Sequence, residues 1–93
     1  MARPLQLPIE ITDEGFIPDD VTVTRGRPVT FVFHRTARRK CRRGLQISVT
    51  DRVHLLEMLP LDEPKELTLT FVQPGNRGIS CDGTRYEAVI HVQ

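Results

Sequence analysis

Ninety-three residues suffice for one domain, residues 1–93, with a modest core, and a patterned content of 39% hydrophobic and 27% charged residues excludes a disordered chain. A net charge of +1 argues for no class of partner, but six of the 13 basic residues lie between Arg35 and Arg43, and five of the 12 acids between Glu10 and Asp20. No apolar run approaches the ~18 residues of a membrane span, and the first residues carry no signal-peptide core; the chain reads as cytoplasmic if complete, and as periplasmic or membrane-associated if it is a trimmed piece.

The elements follow one another as short strands divided by turn signals. Leu5, Leu7, Ile9 and Ile11 alternate with polar residues or proline, and Pro4 and Pro8 suit an edge strand here, where a missing donor does little harm. Asp13-Glu14-Gly15 is a turn, and Phe16-Ile17-Pro18 reads as an apolar plug. Val21 and Val23 alternate with Thr22 and Thr24, the pattern of a half-buried strand. After a turn at Arg25 to Pro28, Val29, Phe31 and Phe33 line one face of the strongest strand, with Thr30, Val32 and His34 on the other. Arg35 to Gly44 is a polar loop, and Leu45, Ile47 and Val49 form the next strand.

Asp51 to Glu57 is ambiguous, because Val53 and Leu56 also fit one helical turn; Leu59-Pro60-Leu61 would end any helix there. Leu67, Leu69 and Phe71 alternate with threonines, Ile79 to Cys81 is short, and Ala88 to Val92 is the last strand. Seven to eight short strands with nothing helical long enough to cover a sheet predict an all-β sandwich or barrel.

Several of these segments, in this order, resemble cupredoxin domains. Gly15-Phe16-Ile17-Pro18 leading into Val21-Thr22-Val23-Thr24-Arg25-Gly26-Arg27-Pro28-Val29 is similar to their opening. Thr30 to His34 followed by Arg35, then Cys41, Leu59-Pro60-Leu61 and Gly78-Ile79-Ser80-Cys81, resemble the type found in iron-uptake proteins and copper-exporting ATPases. The resemblance runs from about Ile9 to Val92 and implies a Greek-key β-sandwich, cupredoxin-like, with copper as its cofactor. It also implies a metal loop reading Cys-Gly-Met-Gly-Met. Here that loop reads Cys81-Asp82-Gly83-Thr84-Arg85, so both methionines are missing and a fixed positive charge stands at Arg85. The histidine that blue-copper proteins carry shortly after the loop cysteine is missing too. Only Cys41 and Cys81 transfer.

Both cysteine loops belong to one end of such a sandwich, and three readings of the pair are open: a soft-metal site for Cu(I), a disulfide, and two independent half-buried thiols. Arg38-Arg39-Lys40-Cys41-Arg42-Arg43 surrounds one of them with cations, which stabilise a thiolate and also suit an acidic protein partner. A solvated loop is the plainer reading. Few aromatics are present and none interleaves with the run, so nucleic acid is not expected. His54 and Met58, four apart, would share a face on one helical turn and would suit copper; the plainer reading puts Met58 in the core. His34 and His91 read as sheet-face residues, Tyr86 as a cap on the core with its hydroxyl in water, and Asp82 as a neutraliser of the arginines. No Ser/His/Asp order, phosphate loop or carboxylate pair points to an enzyme. Two functions follow as expectations: a metal-binding module handling copper through Cys41 and Cys81, with Met58 and His54 as further candidates, and a metal-free module that binds an acidic partner through Arg38, Arg39, Lys40, Arg42 and Arg43.

Overall fold

The alternating runs do become strands with one buried face, and the computed structural model, which describes residues 5–50, 52–81 and 86–93, arranges them in two sheets. The strands are β1 (Leu5–Thr12), β2 (Gly15–Ile17), β3 (Asp20–Val23), β4 (Pro28–Arg35), β5 (Leu45–Ser48), β6 (His54–Glu57), β7 (Pro64–Thr70), β8 (Gly75–Cys81) and β9 (Tyr86–Val92). One sheet has the order β2-β1-β4-β7, the other β3-β9-β8-β5-β6. Each is mixed, because β1 runs parallel to β4 and β3 parallel to β9 while the remaining pairs are antiparallel.

The core sits between the sheets and follows the alternation. Val29, Phe31 and Phe33 of β4 are buried against Ile9 and Ile11 of β1, and Leu45, Ile47, Ile79 and Ile90 are buried on the inner face of the other sheet. Phe31 stacks on Phe33 at 5.6 Å and meets Phe71 edge-on at 6.4 Å. Burying each such ring stabilises the fold by roughly 1.5–3 kcal/mol, which is why β4 is the strand around which its sheet is built. On the opposite face of β4, Thr30 Oγ1 hydrogen-bonds Thr68 Oγ1 at 2.8 Å.

Pro4 lies outside the described residues; Pro8 is tolerated for the expected reason. It pairs with Val32 of β4, while β2 covers β1 only from Glu10 to Thr12, so the other side of Pro8 is an edge. Two expectations change. Phe16 is buried as an apolar plug would be, but it and Ile17 also pair with β1 as a strand of their own, β2. His54 to Glu57 is strand β6, not a helical turn: Leu45, Gln46, Ile47 and Ser48 pair with Glu57, Leu56, Leu55 and His54. Four backbone pairs with β5 override a spacing that also suited a helix. With these two strands the described residues hold nine instead of seven to eight. Among them no helix is long and apolar enough to cross a membrane.

Candidate functional site

The parallel pairing of β1 with β4 brings Thr12 and Arg35 to one end of the sandwich. In the other sheet Leu45, where β5 begins, lies opposite Cys81, where β8 ends. The loop from 36 to 44 and the end of β8 therefore share that end, and Cys41 and Cys81 meet there in a disulfide with Cα atoms 4.6 Å apart. Both are buried, with 0% and 3% of their surface exposed. Of the three readings open from the sequence, the structure takes the disulfide. Asp82 and Arg85 lie outside the described residues.

The loop that carries Cys41 is held from within. Arg35 turns its guanidinium under it: Nε donates to Leu59 O at 3.2 Å, and Nη1 to Ala37 O at 2.9 Å and Lys40 O at 3.5 Å. The amides of Thr36 and Ala37 both donate to Ile11 O at 3.0 Å. Gly44 closes the turn by donating its N–H to Cys41 O at 3.2 Å. It adopts φ +114°, and a β-carbon there would lie 3.1 Å from Glu57 O and from Met58 Sδ, so the position demands glycine. The basic run is thus two populations. Arg35 and Lys40 are structural, Lys40 Nζ donating to Glu87 Oε1 on β9, whereas Arg38, Arg39, Arg42 and Arg43 are exposed.

The other predicted residues scatter. Met58 is 59% exposed instead of filling the core, and its sulfur lies against Gly44, beside the cysteine loop. His54 is at the far end of β6, three residues or ~10 Å of strand from Glu57, with Nδ1 3.1 Å from Ser48 Oγ. The helical face that would have joined His54 to Met58 does not form. His34 Nδ1 meets Glu10 Oε1 at 3.0 Å, and His91 bridges Asn76 Oδ1 at 2.8 Å and Asp20 Oδ2 at 2.9 Å. Tyr86, expected to cap the core with its hydroxyl in water, is 60% exposed and hydrogen-bonds Ser48 Oγ through that hydroxyl at 3.2 Å. Among the described residues no three His, Cys, Asp or Glu side chains group to hold a metal ion. Sequence reasoning missed the anchoring by Arg35 and the partnership of Glu87. The one available signal was an arginine directly ending the most apolar strand.

Nine strands in two mixed sheets packed face to face match a cupredoxin-like β-sandwich. No family model and no curated protein matches the sequence. Solved structures match its fold. A copper binding protein, in its apo solution structure, superposes with a TM-score of 0.82 at 17% identity, covering 100% of this chain and 92% of that one. The metal-binding domain of the Cu(I)-exporting P-type ATPase CopA of Streptococcus pneumoniae, with Cu(I), gives 0.79 at 21% identity over 100% and 90% of the two chains. Reduced auracyanin of Roseiflexus castenholzii gives 0.73 at 14% identity over 99% of each.

Proposed function

We propose that the chain is a copper-handling module that holds Cu(I) between the thiolates of Cys41 and Cys81 once their disulfide has been reduced. The observation that carries this reading is the juxtaposition of the two sulfur-bearing residues, 4.6 Å apart at Cα, in a buried setting at one end of the sandwich. Two thiolates are soft donors suited to Cu(I), whereas a structural zinc site takes four ligands. A thiol reductant supplies two electrons and two protons to break the S–S bond, and binding of Cu(I) releases the thiol protons. The likeness in fold to a copper binding protein and to a Cu(I)-bearing domain supports the choice of metal. Met58, whose sulfur lies against Gly44, is the third donor we assign. His54, held to Ser48 farther along β6, is left out of the set.

The test is a titration of Cu(I) against a chromogenic chelator, on oxidised and reduced protein. One equivalent is withdrawn from the chelator by the reduced protein only, and none by Cys41→Ala/Cys81→Ala. Equal failure of reduced and oxidised protein to compete sinks the proposal.

A second reading is favoured by a different observation: Arg38, Arg39, Arg42 and Arg43 are exposed on a loop whose backbone is tied down by Arg35 and Cys41. In this reading the disulfide is permanent and the loop binds an acidic protein surface, with Lys40 confined to its pair with Glu87. Reversing the four arginine charges abolishes binding of an oligoglutamate probe if this reading holds. Unchanged binding excludes it.

A further inference from the structure

We propose that a depression beside β8 and β5 of the five-stranded sheet carries a binding site for a small oxyanion, a carboxylate or a phosphate, formed around Arg77, which leaves β8 on the register of Ile79 and Ile90, and around Ser48, His54 and Tyr86. This site owes nothing to the cysteines, so it stands or falls independently of the copper reading.

The starting point is Gly78. A β-carbon on it would overlap the ring of Tyr86, so the glycine lets the tyrosine of β9 lie flat across β8. The ring thereby carries its hydroxyl over one strand to β5, where it meets Ser48 Oγ at 3.2 Å. Ser48 Oγ also contacts His54 Nδ1 on β6 at 3.1 Å. A continuous polar chain, Tyr86–Ser48–His54, thus crosses from β9 to β6. Ser48 is buried, and its oxygen is already shared between two partners.

Beside this chain is an open depression of about 210 Å³, lined by Ser48, Thr50, His54, Asn76, Arg77 and Tyr86, with Gly78 among them. Among the described residues that line it, Arg77 is the one with a permanent charge. Arg77 Nε donates to Val49 O at 3.1 Å and Nη1 to Asn76 O at 3.0 Å, and among the described residues Arg77 makes no ion pair with a carboxylate. Two backbone carbonyls fix the plane of the guanidinium but do not neutralise it, so a cation is held rigid at the depression. A guanidinium held in plane matches the geometry of a carboxylate or phosphate. His54 has Nδ1 engaged by Ser48, which leaves Nε2 as its other hydrogen-bonding atom. Asp20, on β3, is engaged by His91 Nε2, whose Nδ1 in turn meets Asn76 Oδ1. A few convergent polar groups and one oriented charge are what fixes the orientation of a ligand in a small-molecule site.

The experiment is a titration of the whole chain, followed by backbone and arginine side-chain NMR, with inorganic phosphate and separately with acetate, against a constant chloride background. Saturable shifts centred on Arg77, Ser48 and Tyr86 support the site, and the tighter of the two anions identifies its source class. Arg77→Gln is expected to weaken binding about tenfold, the usual scale for losing a charge-assisted pair, and Tyr86→Phe about threefold by freeing Ser48. Should Arg77→Gln not fold, Arg77→Lys keeps the charge and removes the planar fork, and it is expected to weaken binding about threefold. His34→Gln, on the other sheet, leaves binding unchanged. Non-saturating shifts, or shifts centred on Arg38 to Arg43 that Arg77→Gln does not alter, overturn the proposal.

Discussion

At the cysteine end the chain is held from inside: Arg35 reaches three carbonyls, Cys41 is bonded to Cys81, and Lys40 grips Glu87. On the five-stranded sheet, Tyr86, Ser48, His54 and Arg77 are also hydrogen-bonded, but they border an open depression. The difference is one of readiness. The cysteine pair has to be reduced before it offers a donor to a metal ion, because disulfide sulfurs are not thiolates. The open face offers its groups as they stand. A redox-dependent property therefore belongs to the first region, and a redox-independent one to the second.

The largest expected effect breaks the closed end. The disulfide joins residues 40 apart in sequence, and for a loop of that length the chain-entropy model assigns ~4 kcal/mol of stabilisation. Cys41→Ala/Cys81→Ala is expected to lower the urea midpoint accordingly, as is reduction of the parent. A loss under ~1 kcal/mol would mean that the hydrogen bonds of Arg35, Thr36 and Ala37 hold the loop alone. The next effect separates those bonds from the covalent tie. Arg35→Ala leaves the carbonyls of Leu59, Ala37 and Lys40 without their guanidinium partner, and charged hydrogen bonds of this kind are worth roughly 1.5–3 kcal/mol in total once water is allowed to compete. Amide exchange of residues 36–44 should quicken in the variant while β8 and β9 stay protected; uniform quickening would assign Arg35 to the whole fold instead of the loop.

A smaller effect sharpens the open face. Gly78→Ala forces the Tyr86 ring off β8 and with it the Tyr86–Ser48 bond, at about 1 kcal/mol. The chain has one tyrosine and no tryptophan, so intrinsic fluorescence reports that ring alone. An unchanged emission spectrum in Gly78→Ala would show that the tyrosine does not rest on the glycine.

How far each region was legible in the sequence follows from how local its causes are. Val29, Phe31 and Phe33 announce β4 because alternation along one strand is a local signal. Pro8 announces an edge for the same reason. The cysteines could be placed at a common end through the resemblance to cupredoxin domains, but their bonding state depends on a separation of 4.6 Å that no spacing reveals. His54 to Glu57 was ambiguous because Val53 and Leu56 are three apart; β5, sixth to twelfth neighbours along the chain, decided it. Arg35 was hidden inside a run of like charges, where only the loop's carbonyls distinguish it from Arg38. The groups around Ser48 were the least legible, since four strands contribute them and none carries a motif.

The smallest effect concerns the two exposed histidine–carboxylate pairs, one on each sheet. His34 meets Glu10 on the four-stranded sheet, and His91 meets Asp20 on the other; their side chains retain a third or more of their surface exposure. Exposed pairs of this kind are worth under about 1 kcal/mol, so Glu10→Gln and Asp20→Asn should each shift the urea midpoint by less than about 0.5 kcal/mol equivalent. They differ in what else they touch. Glu10→Gln alters only its own sheet, whereas Asp20→Asn removes the carboxylate that engages His91, which in turn contacts Asn76 at the rim of the depression. Titrating both variants with phosphate should leave Glu10→Gln at the parent affinity and tighten Asp20→Asn slightly, because one nearby negative charge is gone. Weaker binding in Asp20→Asn would mean that the His91–Asp20 contact positions Asn76 for the anion, and that the site extends one strand farther, to β3.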